Sequence, residues 1–452
     1  MASELIETQL QEIASESDRA FAMGPFGSNI KAENYCESGV PVIRGTNLGG
    51  CGDAPFIPRD FVFLTEAKAD ELASSSAAPN DIVFVAQGTV GKVGIIPTNT
   101  PYRRFVLSQN LMKVTVNPER ADPRFIFYFY RSSFGQHEIM SRVNPTGVPC
   151  ISKPLSSLRQ FMVRLPSDVN EQRAIAHILG TLDDKIELNR QVSETLEAIA
   201  RTIFKSWFVD FDPVRAKTEG RDPGLPQHLA VLFPDSLEDS EMGEIPKGWQ
   251  VGTLGALCQK PQYGFTASAR EKPVGPKFLR ITDINKLPWI EWALVPHCEI
   301  SKEEFDQYRV RTGDVLIARM ADPGHGVMIE EDVEAVFASY LIRFRPRDSS
   351  YARFVQYWLR SKSYWDLVGA RYAGTTRASL NAQVLSAFQI IVPPKPLAAA
   401  FAEKIAAIRR RLIGSVAESH SLASIRDTLL PRFISGSLHI RNVERIIGGL
   451  QP

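Results

Sequence analysis

The feature that most constrains the fold of this 452-residue chain is a long apolar pattern that occurs twice. Within each copy the first four apolar residues are spaced by four, three and four positions, a heptad rhythm, and polar residues interrupt both copies at the same places. The repeated residues are Ile175, Leu179, Leu182, Ile186, Leu196, Ile203 and Trp207 in the first copy, and Phe401, Ile405, Ile408, Leu412, Leu422, Leu429 and Phe433 in the second. A repeat of this length indicates two copies of one architectural unit.

The sequence ahead of each apolar pattern is duplicated as well. The matching segments are 39–48 with 275–284, 81–85 with 314–318, 124–132 with 353–361, and 158–166 with 385–393. Short β-rich runs and glycine turns in these segments favour a globular domain of mixed α and β structure. Each copy is therefore predicted to be a globular domain followed by a long helix.

We predict an α+β fold with an internal duplication, in which two globular domains are separated by two long helices packed as an antiparallel coiled coil with pseudo-twofold symmetry. The predicted division is residues 1–166 for the first globular domain, 167–211 for the central long helix, 212–245 for a connector, 246–394 for the second globular domain, 395–436 for the C-terminal long helix, and 437–452 for a tail.

The pairing of the two helices follows from their length and pattern. A helix of forty residues is about 60 Å long, and an isolated amphipathic helix is not expected to be stable without a partner. Each globular domain precedes its own helix, so an antiparallel arrangement places the domains at opposite ends of a rod. The alternative is that each helix packs separately onto its own domain.

Composition and charge are those of an ordinary globular protein and favour neither a membrane protein nor a secreted one. The hydrophobic fraction of 44% and the charged fraction of 23% are ordinary for a globular protein of this length. The sequence contains no run of about eighteen apolar residues, so no membrane span is predicted. Residues 1–11 lack the basic and apolar regions of a signal peptide. The net charge of +1 neither indicates nor excludes a nucleic-acid partner.

The five cysteines predict neither a disulfide framework nor a zinc site. Cys36, Cys51, Cys150, Cys258 and Cys298 are widely scattered, and no CxxC pair occurs. This usage is typical of a protein in a reducing cytoplasm.

Catalytic motifs fail on inspection. The run 88–92 resembles a phosphate-binding loop, but Ala86 and Val93 stand where glycine and a hydroxyl residue are required. The seven histidines lack metal-ligand spacing, and the acidic runs 238–241 and 330–332 are interpreted as solvated turns. We therefore predict no catalytic activity and no metal site in this chain.

Two similar domains held at a fixed separation suit the recognition of a DNA sequence in two parts. Polar, glycine-bearing segments of each domain are the candidate contacts with base edges and phosphates. In the first copy they are Gly24, Phe26, Gly27, Ser28, Lys31, Arg44, Asn47, Gln87, Lys92, Arg103, Arg104, Gln109 and Asn110. In the second copy they are Tyr263, Thr266, Arg280, Asp283, Arg319, His325, Tyr340, Arg371, Thr375, Thr376 and Arg377. Arg44 and Arg280 recur at equivalent positions, and either DNA contact or a structural ion pair would explain them.

Several motifs in a fixed order carry a family resemblance. They are Gly24-Pro-Phe-Gly-Ser28, Gly39-Val-Pro-Val-Ile-Arg44, Asn170-Glu-Gln-Arg-Ala-Ile-Ala176, Phe204-Lys-Ser-Trp-Phe208 and Gly243-Glu-Ile-Pro-Lys-Gly-Trp249. With these motifs the chain resembles the DNA-specificity subunit of type I restriction–modification enzymes over nearly its whole length.

The resemblance implies two target-recognition domains that read an asymmetric bipartite DNA sequence, with the helices as the ruler for the spacer. It also implies two modification (methyltransferase) subunits docked on the helices, and restriction subunits in the full complex. S-adenosylmethionine, ATP and Mg would belong to those partners, in a bacterial or archaeal cytoplasm. The chain itself would contain no cofactor.

The second copy departs from this pattern at two places. Ala398-Ala399 stand where the first copy has Glu171-Gln172, and Arg426 replaces Ala200, so partner docking is expected to be imperfectly symmetric. A protein-interaction scaffold with two binding domains on a coiled-coil spacer remains the alternative function. A scaffold predicts no salt-dependent binding to duplex DNA.

Overall fold

The computed structural model describes residues 4–25, 29–50, 54–144, 146–371 and 380–439. The chain divides into two compact units, one formed by Met1–Leu188 with Glu418–Pro452 and the other by Asn189–Ala417. Each unit therefore contains one globular part and about half of each long helix.

The elements of the first unit alternate short strands with short helices. Its strands are β1 (Leu5–Gln9), β2 (Phe21–Met23), β3 (Val40–Ile43), β4 (Val62–Leu64), β5 (Ser76–Ala77), β6 (Ile82–Val85), β7 (Val93–Ile95), β8 (Phe105–Leu107), β9 (Leu111–Val114), β10 (Val143–Asn144), β11 (Cys150–Ile151) and β12 (Met162–Pro166). Its helices are α1 (Leu10–Ile13), α2 (Glu66–Glu71), α3 (Pro123–Arg131), α4 (Ser133–Ser141), α5 (Pro154–Arg159) and the start of α6 (Val169–Phe208).

Two four-stranded sheets form the β part of this unit, in the orders β2-β9-β6-β7 and β4-β3-β8-β5. In the first sheet all pairs are antiparallel, whereas β3 and β8 pair in parallel. Helix α3 is rich in aromatic residues, and its residues from Phe125 to Arg131 are buried. Its Tyr130 ring packs edge-on against Phe84 of β6, 5.2 Å between ring centroids.

The second unit has the strands β13 (Leu237–Ser240), β14 (Gly243–Pro246), β15 (Gln250–Thr253), β16 (Gln262–Tyr263), β17 (Lys277–Leu279), β18 (Val315–Ala318), β19 (Gly326–Met328), β20 (Ala335–Phe337), β21 (Leu341–Phe344) and β22 (Gln389–Val392). Its helices are α7 (Asp212–Thr218), α8 (Gln227–Ala230), α9 (Leu254–Leu257), α10 (Lys302–Tyr308), α11 (Tyr351–Trp358), α12 (Lys362–Ala370), α13 (Ala382–Ser386) and α14 (Lys395–Ile434). Residues 212–245, interpreted from sequence as a connector, thus supply two helices and a hairpin to this unit.

The sheet topology repeats between the units and confirms the predicted duplication. The order β16-β21-β18-β19 matches β2-β9-β6-β7, and the parallel pair β17-β20 matches β3-β8. The turn before the central strand is also repeated. Asp81 accepts a hydrogen bond from the Ala78 amide at 2.7 Å, and Asp314 accepts one from the Arg311 amide at 2.9 Å.

Helices α6 and α14 pack against each other in antiparallel fashion, as predicted. In the first unit Asp183 of α6 is paired with Arg426 of α14 at 2.6 Å, and Lys185 lies 3.6 Å from Glu418. Residues with higher numbers in α6 thus contact residues with lower numbers in α14, which shows that the two helices run in opposite directions. The second unit repeats this relation.

In that unit Glu197 pairs with Arg409, and Phe204 lies 5.8 Å from Phe401 between ring centroids. The alternative of separate helices is therefore wrong. Each helix half also belongs to the core of its own unit, because Leu179 and Phe433 share one apolar cluster and Phe204 and Ile405 share another.

The surface between the helices is more polar than the apolar pattern indicated. Of the predicted pairing residues, Ile175, Leu179, Trp207, Phe401, Ile405, Leu412 and Phe433 are buried, whereas Leu182, Ile186, Leu196, Ile203, Ile408, Leu422 and Leu429 are half-buried. Buried polar residues of the two helices are Gln172, Asp183, Asn189, Ser193, Glu197, Arg409, Ser415 and Arg426. Two contacts between the helices, Asp183 with Arg426 and Glu197 with Arg409, are therefore buried ion pairs.

The two copies differ structurally where their sequences do. The Gln172 amide donates to the Pro166 carbonyl at 2.7 Å and accepts from the Asp122 amide at 2.9 Å. Because both helices have forty residues, Gln172 is equivalent to Ala398 and Glu171 to Leu397, one position away from the match made in the sequence. Ala398 is fully buried and has no side-chain polar group. Among the described residues no helix is both long and apolar enough to cross a membrane.

Candidate nucleic-acid interface

Several candidate residues of the first unit lie at one end of the sheet β2-β9-β6-β7. Strands β2 and β6 both run antiparallel to β9, so the ends of β2 and β6 lie beside the start of β9. There the Gly24 amide donates to the Leu111 carbonyl at 2.8 Å, and the Ala86 amide donates to the Asn110 carbonyl at 2.8 Å. We call this end, formed by Gly24, Gln87, Gln109 and Asn110, the first strand-end surface.

Exposed amide side chains give the first strand-end surface its chemistry. Gln87, Gln109 and Asn110 are exposed, and each carries both donors and an acceptor, which suit the edges of bases. Gly24 is buried, and a Cβ built on it would lie 1.8 Å from the Ser108 carbonyl oxygen. Glycine is therefore required for this close backbone approach. Phe26, Gly27 and Ser28 lie outside the described residues.

The second unit has an equivalent strand-end surface. The Gly264 amide donates to the Leu341 carbonyl at 3.2 Å, and the Arg319 amide donates to the Tyr340 carbonyl at 2.9 Å. These bonds join the ends of β16 and β18 to the start of β21, as in the first unit. We call Tyr263, Arg319 and Tyr340 the second strand-end surface.

The side chains on the second strand-end surface are cationic and aromatic. The Arg319 guanidinium lies over the Tyr263 ring, 4.9 Å from its centroid. The Tyr263 hydroxyl accepts a hydrogen bond from the Ala382 amide at 3.0 Å, and Tyr340 is 54% exposed. The two surfaces thus share a backbone arrangement and differ in the groups that they present.

A second set of candidates makes structural contacts in the first unit. Asn47 is buried, donates to the carbonyls of Ile57 and Arg59 at 3.0 and 2.9 Å, and accepts from the Arg44 amide. The Arg44 guanidinium donates to the Asp60 carbonyl. Arg104 pairs with Asp70 and Glu66, both at 2.6 Å. Arg104 is thus paired with carboxylates, whereas Arg44 makes one side-chain hydrogen bond to a carbonyl and its Nε is buried without a partner.

Arg280 and Asp283 form an ion pair with each other at 2.9 Å. The hydrogen bonds and charge of Asp283 raise the pKa of Arg280 despite partial burial, which acts in the opposite direction. The sequence allowed either DNA contact or a structural ion pair for these two arginines. Arg280 forms the ion pair, whereas Arg44 at the equivalent position binds a carbonyl.

The remaining candidates are dispersed. Lys31 is exposed beside Glu33, Lys92 is half-buried, and Arg103, Thr266 and Arg371 are exposed. His325 lies 3.1 Å from Asp322 and packs against the Trp365 ring. Thr375, Thr376 and Arg377 lie outside the described residues.

Sequence reasoning missed a buried ionic cluster in the second unit. Glu330, interpreted as part of a solvated turn, has a side chain that is only 5% exposed and pairs with Arg353 of α11 and Arg409 of α14. Arg409 also pairs with Glu197 at 2.6 Å, and Glu197 pairs with Arg360 at 2.6 Å. We call Glu197, Glu330, Arg353, Arg360 and Arg409 the buried ionic cluster.

The interpretation of Glu330 as solvated was wrong because its partners are remote in sequence. Burial by itself would raise the pKa of Glu330, but the hydrogen bonds and charges of Arg409 and Arg353 lower it. The carboxylate is therefore held ionised and fixes α14 against α11. Within the described ranges, no group of three or more His, Cys, Asp or Glu residues is arranged to hold a metal ion.

Comparison with known proteins shows to which protein family the chain belongs. The family model described as the type I restriction modification DNA specificity domain matches residues 29–198 and again residues 246–414. The chain therefore belongs to this family, and the resemblance seen in its motifs is confirmed. The two matches coincide with the two copies of the duplication, and the role of the family is in DNA target specificity.

Individual relatives agree with this class. The type I restriction enzyme HindI specificity subunit of Haemophilus influenzae is 26% identical over 392 residues, which cover 74% of this chain and 81% of the relative. The type I restriction enzyme MjaIX specificity subunit of Methanocaldococcus jannaschii is 22% identical over 426 residues, with 92% and 90% covered. The solved S subunit of a type I restriction–modification system from M. genitalium has the same fold, with a TM-score of 0.57 at 15% identity, covering 95% of this chain and 96% of that one.

Proposed function

We propose that this chain is a non-catalytic subunit that reads an asymmetric, bipartite DNA sequence, one half with each strand-end surface. The observation that carries the proposal is the pair of surfaces themselves. Their backbone hydrogen bonds are equivalent, but one presents Gln87, Gln109 and Asn110 and the other presents Tyr263, Arg319 and Tyr340. Equivalent scaffolds with different side chains suit two different half-sites.

Base edges and phosphates would be bound by different residues. The amide groups of the first strand-end surface match the paired donor and acceptor of adenine in the major groove. Exposed cations such as Lys31, Arg103 and Arg371 suit phosphates, which position the duplex without reading its sequence. Binding is therefore expected to weaken as the salt concentration rises.

The paired helices are proposed to set the length of the spacer between the half-sites. Two buried ion pairs, Asp183–Arg426 and Glu197–Arg409, oppose sliding of α6 along α14 because a shift in register would leave buried charges unpaired. A ruler must have such a fixed register.

The chemistry is proposed to reside in partner subunits, in a bacterial or archaeal cytoplasm. Two methyltransferase subunits would bind the helices, use S-adenosylmethionine and methylate adenine, and restriction subunits would supply the ATP- and Mg-dependent steps. The difference between Gln172 and Ala398, at equivalent positions of the two helices, supports two docking sites that are similar but unequal.

Methylation mapping of the assembled complex tests the proposal. The chain is coexpressed with the methyltransferase subunit encoded beside it, and methylated adenines are mapped by single-molecule sequencing. We expect one bipartite motif with a constant gap and two different halves. Active methyltransferase with no motif, or with a motif in one continuous block, would contradict the proposal and leave the scaffold alternative.

A pair of variants connects the motif to the first strand-end surface. Gln87→Ala combined with Asn110→Ala is expected to change one half of the motif only. The matched control is Gln11→Ala, since Gln11 is an exposed amide whose hydrogen bond is to Gln9. Equal effects of the control and the double variant would show that the first strand-end surface does not read bases.

A further inference from the structure

Arg319 and Ala86 occupy the same place in the two units. The Ala86 amide donates to the Asn110 carbonyl and the Ala86 carbonyl accepts from the Ile151 amide, at 2.8 and 2.9 Å. The Arg319 amide donates to the Tyr340 carbonyl and its carbonyl accepts from the Leu380 amide, both at 2.9 Å. The backbone is therefore the same at both positions, and only the second unit places a long cationic side chain there.

The Arg319 side chain is held in one orientation. Its backbone is fixed on both sides by the two hydrogen bonds, and its guanidinium rests on the Tyr263 ring. The ring is fixed in turn by the bond from the Ala382 amide to the Tyr263 hydroxyl. In the first unit the residue equivalent to Tyr263 in the strand register is Met23, which provides no aromatic face. An arginine fixed before binding loses less side-chain entropy when it binds.

The donors of Arg319 are not used within the described part of the protein. No described carboxylate forms an ion pair with its guanidinium, and its Nε is buried without a hydrogen-bond partner. Arg280 and Arg104, in contrast, bind carboxylates. The two terminal nitrogens of the Arg319 guanidinium are therefore left for a partner outside the fold, whereas the buried Nε is out of reach of one.

We propose that Arg319 is the residue that reads a guanine in the half-site of the second unit, donating two hydrogen bonds to O6 and N7 in the major groove. The planar guanidinium matches these two acceptors. Because Ala86 stands at the equivalent place, the half-site of the first unit has no such contact. The inference rests on the proposed function, since it assigns one base within the bipartite target.

Methylation motifs of variants in the assembled complex test the assignment. Arg319→Gln is expected to reduce the preference for guanine at one position of one half-site by about 5- to 150-fold, the range for one bidentate contact. Arg319→Lys keeps the charge but has no planar fork, so the same loss of preference is expected while overall binding is retained. Tyr263→Leu should lower the preference by less, since the guanidinium remains.

Controls separate base reading from other roles. Arg347→Gln removes an exposed arginine elsewhere in the same unit and should leave the motif unchanged. The half of the motif affected by Arg319→Gln must differ from the half affected by the double variant of Gln87 and Asn110. Thermal unfolding of each complex reports loss of folding separately, and Arg319→Lys provides the same test if Arg319→Gln does not fold.

Two results would overturn the assignment. An unchanged motif in folded Arg319→Gln or Arg319→Lys complexes would show that Arg319 reads no base. A uniform loss of methylation at every sequence, with no position relaxed, would indicate a phosphate contact instead. Neither result affects the proposed function, which fails only if the wild-type complex gives no bipartite motif.

Discussion

Arg409 of α14 and Glu197 of α6 form a buried ion pair, with Nη1 2.6 Å from Oε2 and the arginine side chain fully excluded from solvent. The same division of charge occurs in the first unit, where Asp183 of α6 pairs with Arg426 of α14. In both units α6 supplies the acid and α14 the arginine. Pairing of either helix with a copy of itself would bring like charges together, so the contact favours the pairing of unlike helices.

Removal of Arg409 is expected to destabilise the second unit strongly. Arg409→Met would leave Glu197 and Glu330 as buried carboxylates without their central partner, which costs about 3–5 kcal/mol. Urea unfolding followed by tryptophan fluorescence measures the loss. Arg410→Met is the matched control because Arg410 is the exposed neighbour on the same helix. Similar unfolding midpoints for both variants would contradict a central role for the buried ionic cluster.

Acid should weaken the second unit through Glu330. Its pKa in the folded protein is lowered below the ordinary value of 4.5 by Arg409 and Arg353, against the effect of burial. The carboxylate therefore contributes stability above pH 4.5, and this contribution is lost as the pH falls through the lower folded pKa. Unfolding free energies measured from pH 7 to pH 3 should fall less steeply in Glu330→Gln. Parallel pH profiles for wild type and variant would refute this source of acid sensitivity.

The two long helices should respond differently to replacement of their glycines. A Cβ on Gly414 of α14 meets no atom within 4 Å, whereas a Cβ on Gly180 of α6 lies 3.1 Å from the Arg124 guanidinium. Gly414→Ala is expected to stabilise the protein by about 0.5–1 kcal/mol through helix propensity alone. Gly180→Ala should gain less, and thermal unfolding of the two variants compares them. A loss of stability in Gly414→Ala would count against an unobstructed helix surface at that position.

Lengthening both helices tests the ruler. Insertion of seven residues after Leu188 in α6 and after Ala417 in α14 adds two turns, about 10 Å, to each helix. At about 3.4 Å per base pair the spacer in the methylated motif should grow by about three base pairs while both half-sites keep their sequence. Insertion in one helix only is the control, and it should abolish folding or methylation because the ion pairs lose their register. An unchanged spacer after the double insertion would eliminate the ruler.

Gly24 should be sensitive to a single methyl group. Gly24→Ala places a Cβ 1.8 Å from the Ser108 carbonyl oxygen, so the first strand-end surface must shift. We expect a loss of about 1–3 kcal/mol and a relaxed motif in the half-site read by the first unit. Gly45→Ala is the control, since a Cβ there meets nothing within 4 Å. Intact recognition in Gly24→Ala would mean that this surface is not held by the close approach of its backbone.

Much of the fold was predictable because the duplicated pattern is local. The start of α6 follows a capping residue, Asp168, whose carboxylate accepts from the Asn170 amide at 2.9 Å. The buried charges were not predictable in the same way. Asp183 and Arg426 are 243 residues apart in sequence, and in isolation each has the appearance of a solvent-exposed position on an amphipathic helix.

The candidate interface was predictable as a set of residue types but not as a site. Arg44, Arg280 and Arg319 are all arginines at or near strand ends, and the sequence offers no reason to separate them. Tertiary contacts distinguish these arginines. Arg280 binds Asp283, and Arg44 binds the Asp60 carbonyl. Arg319 packs on the Tyr263 ring, and described residues do not use its donors.

The sequence by itself determined that the chain contains two copies of one pattern and that each copy ends in a helix of about forty residues. It favoured antiparallel pairing of these helices over separate packing, and the tertiary structure confirmed the pairing. These properties follow from periodicity and order along the chain. Only the tertiary structure decided which polar residues meet at the ends of the central strands and which arginines are neutralised inside the protein. Antiparallel strand register and pairing between helices bring together residues far apart in sequence, and the cost of burying a charge without a partner then selects the arrangement.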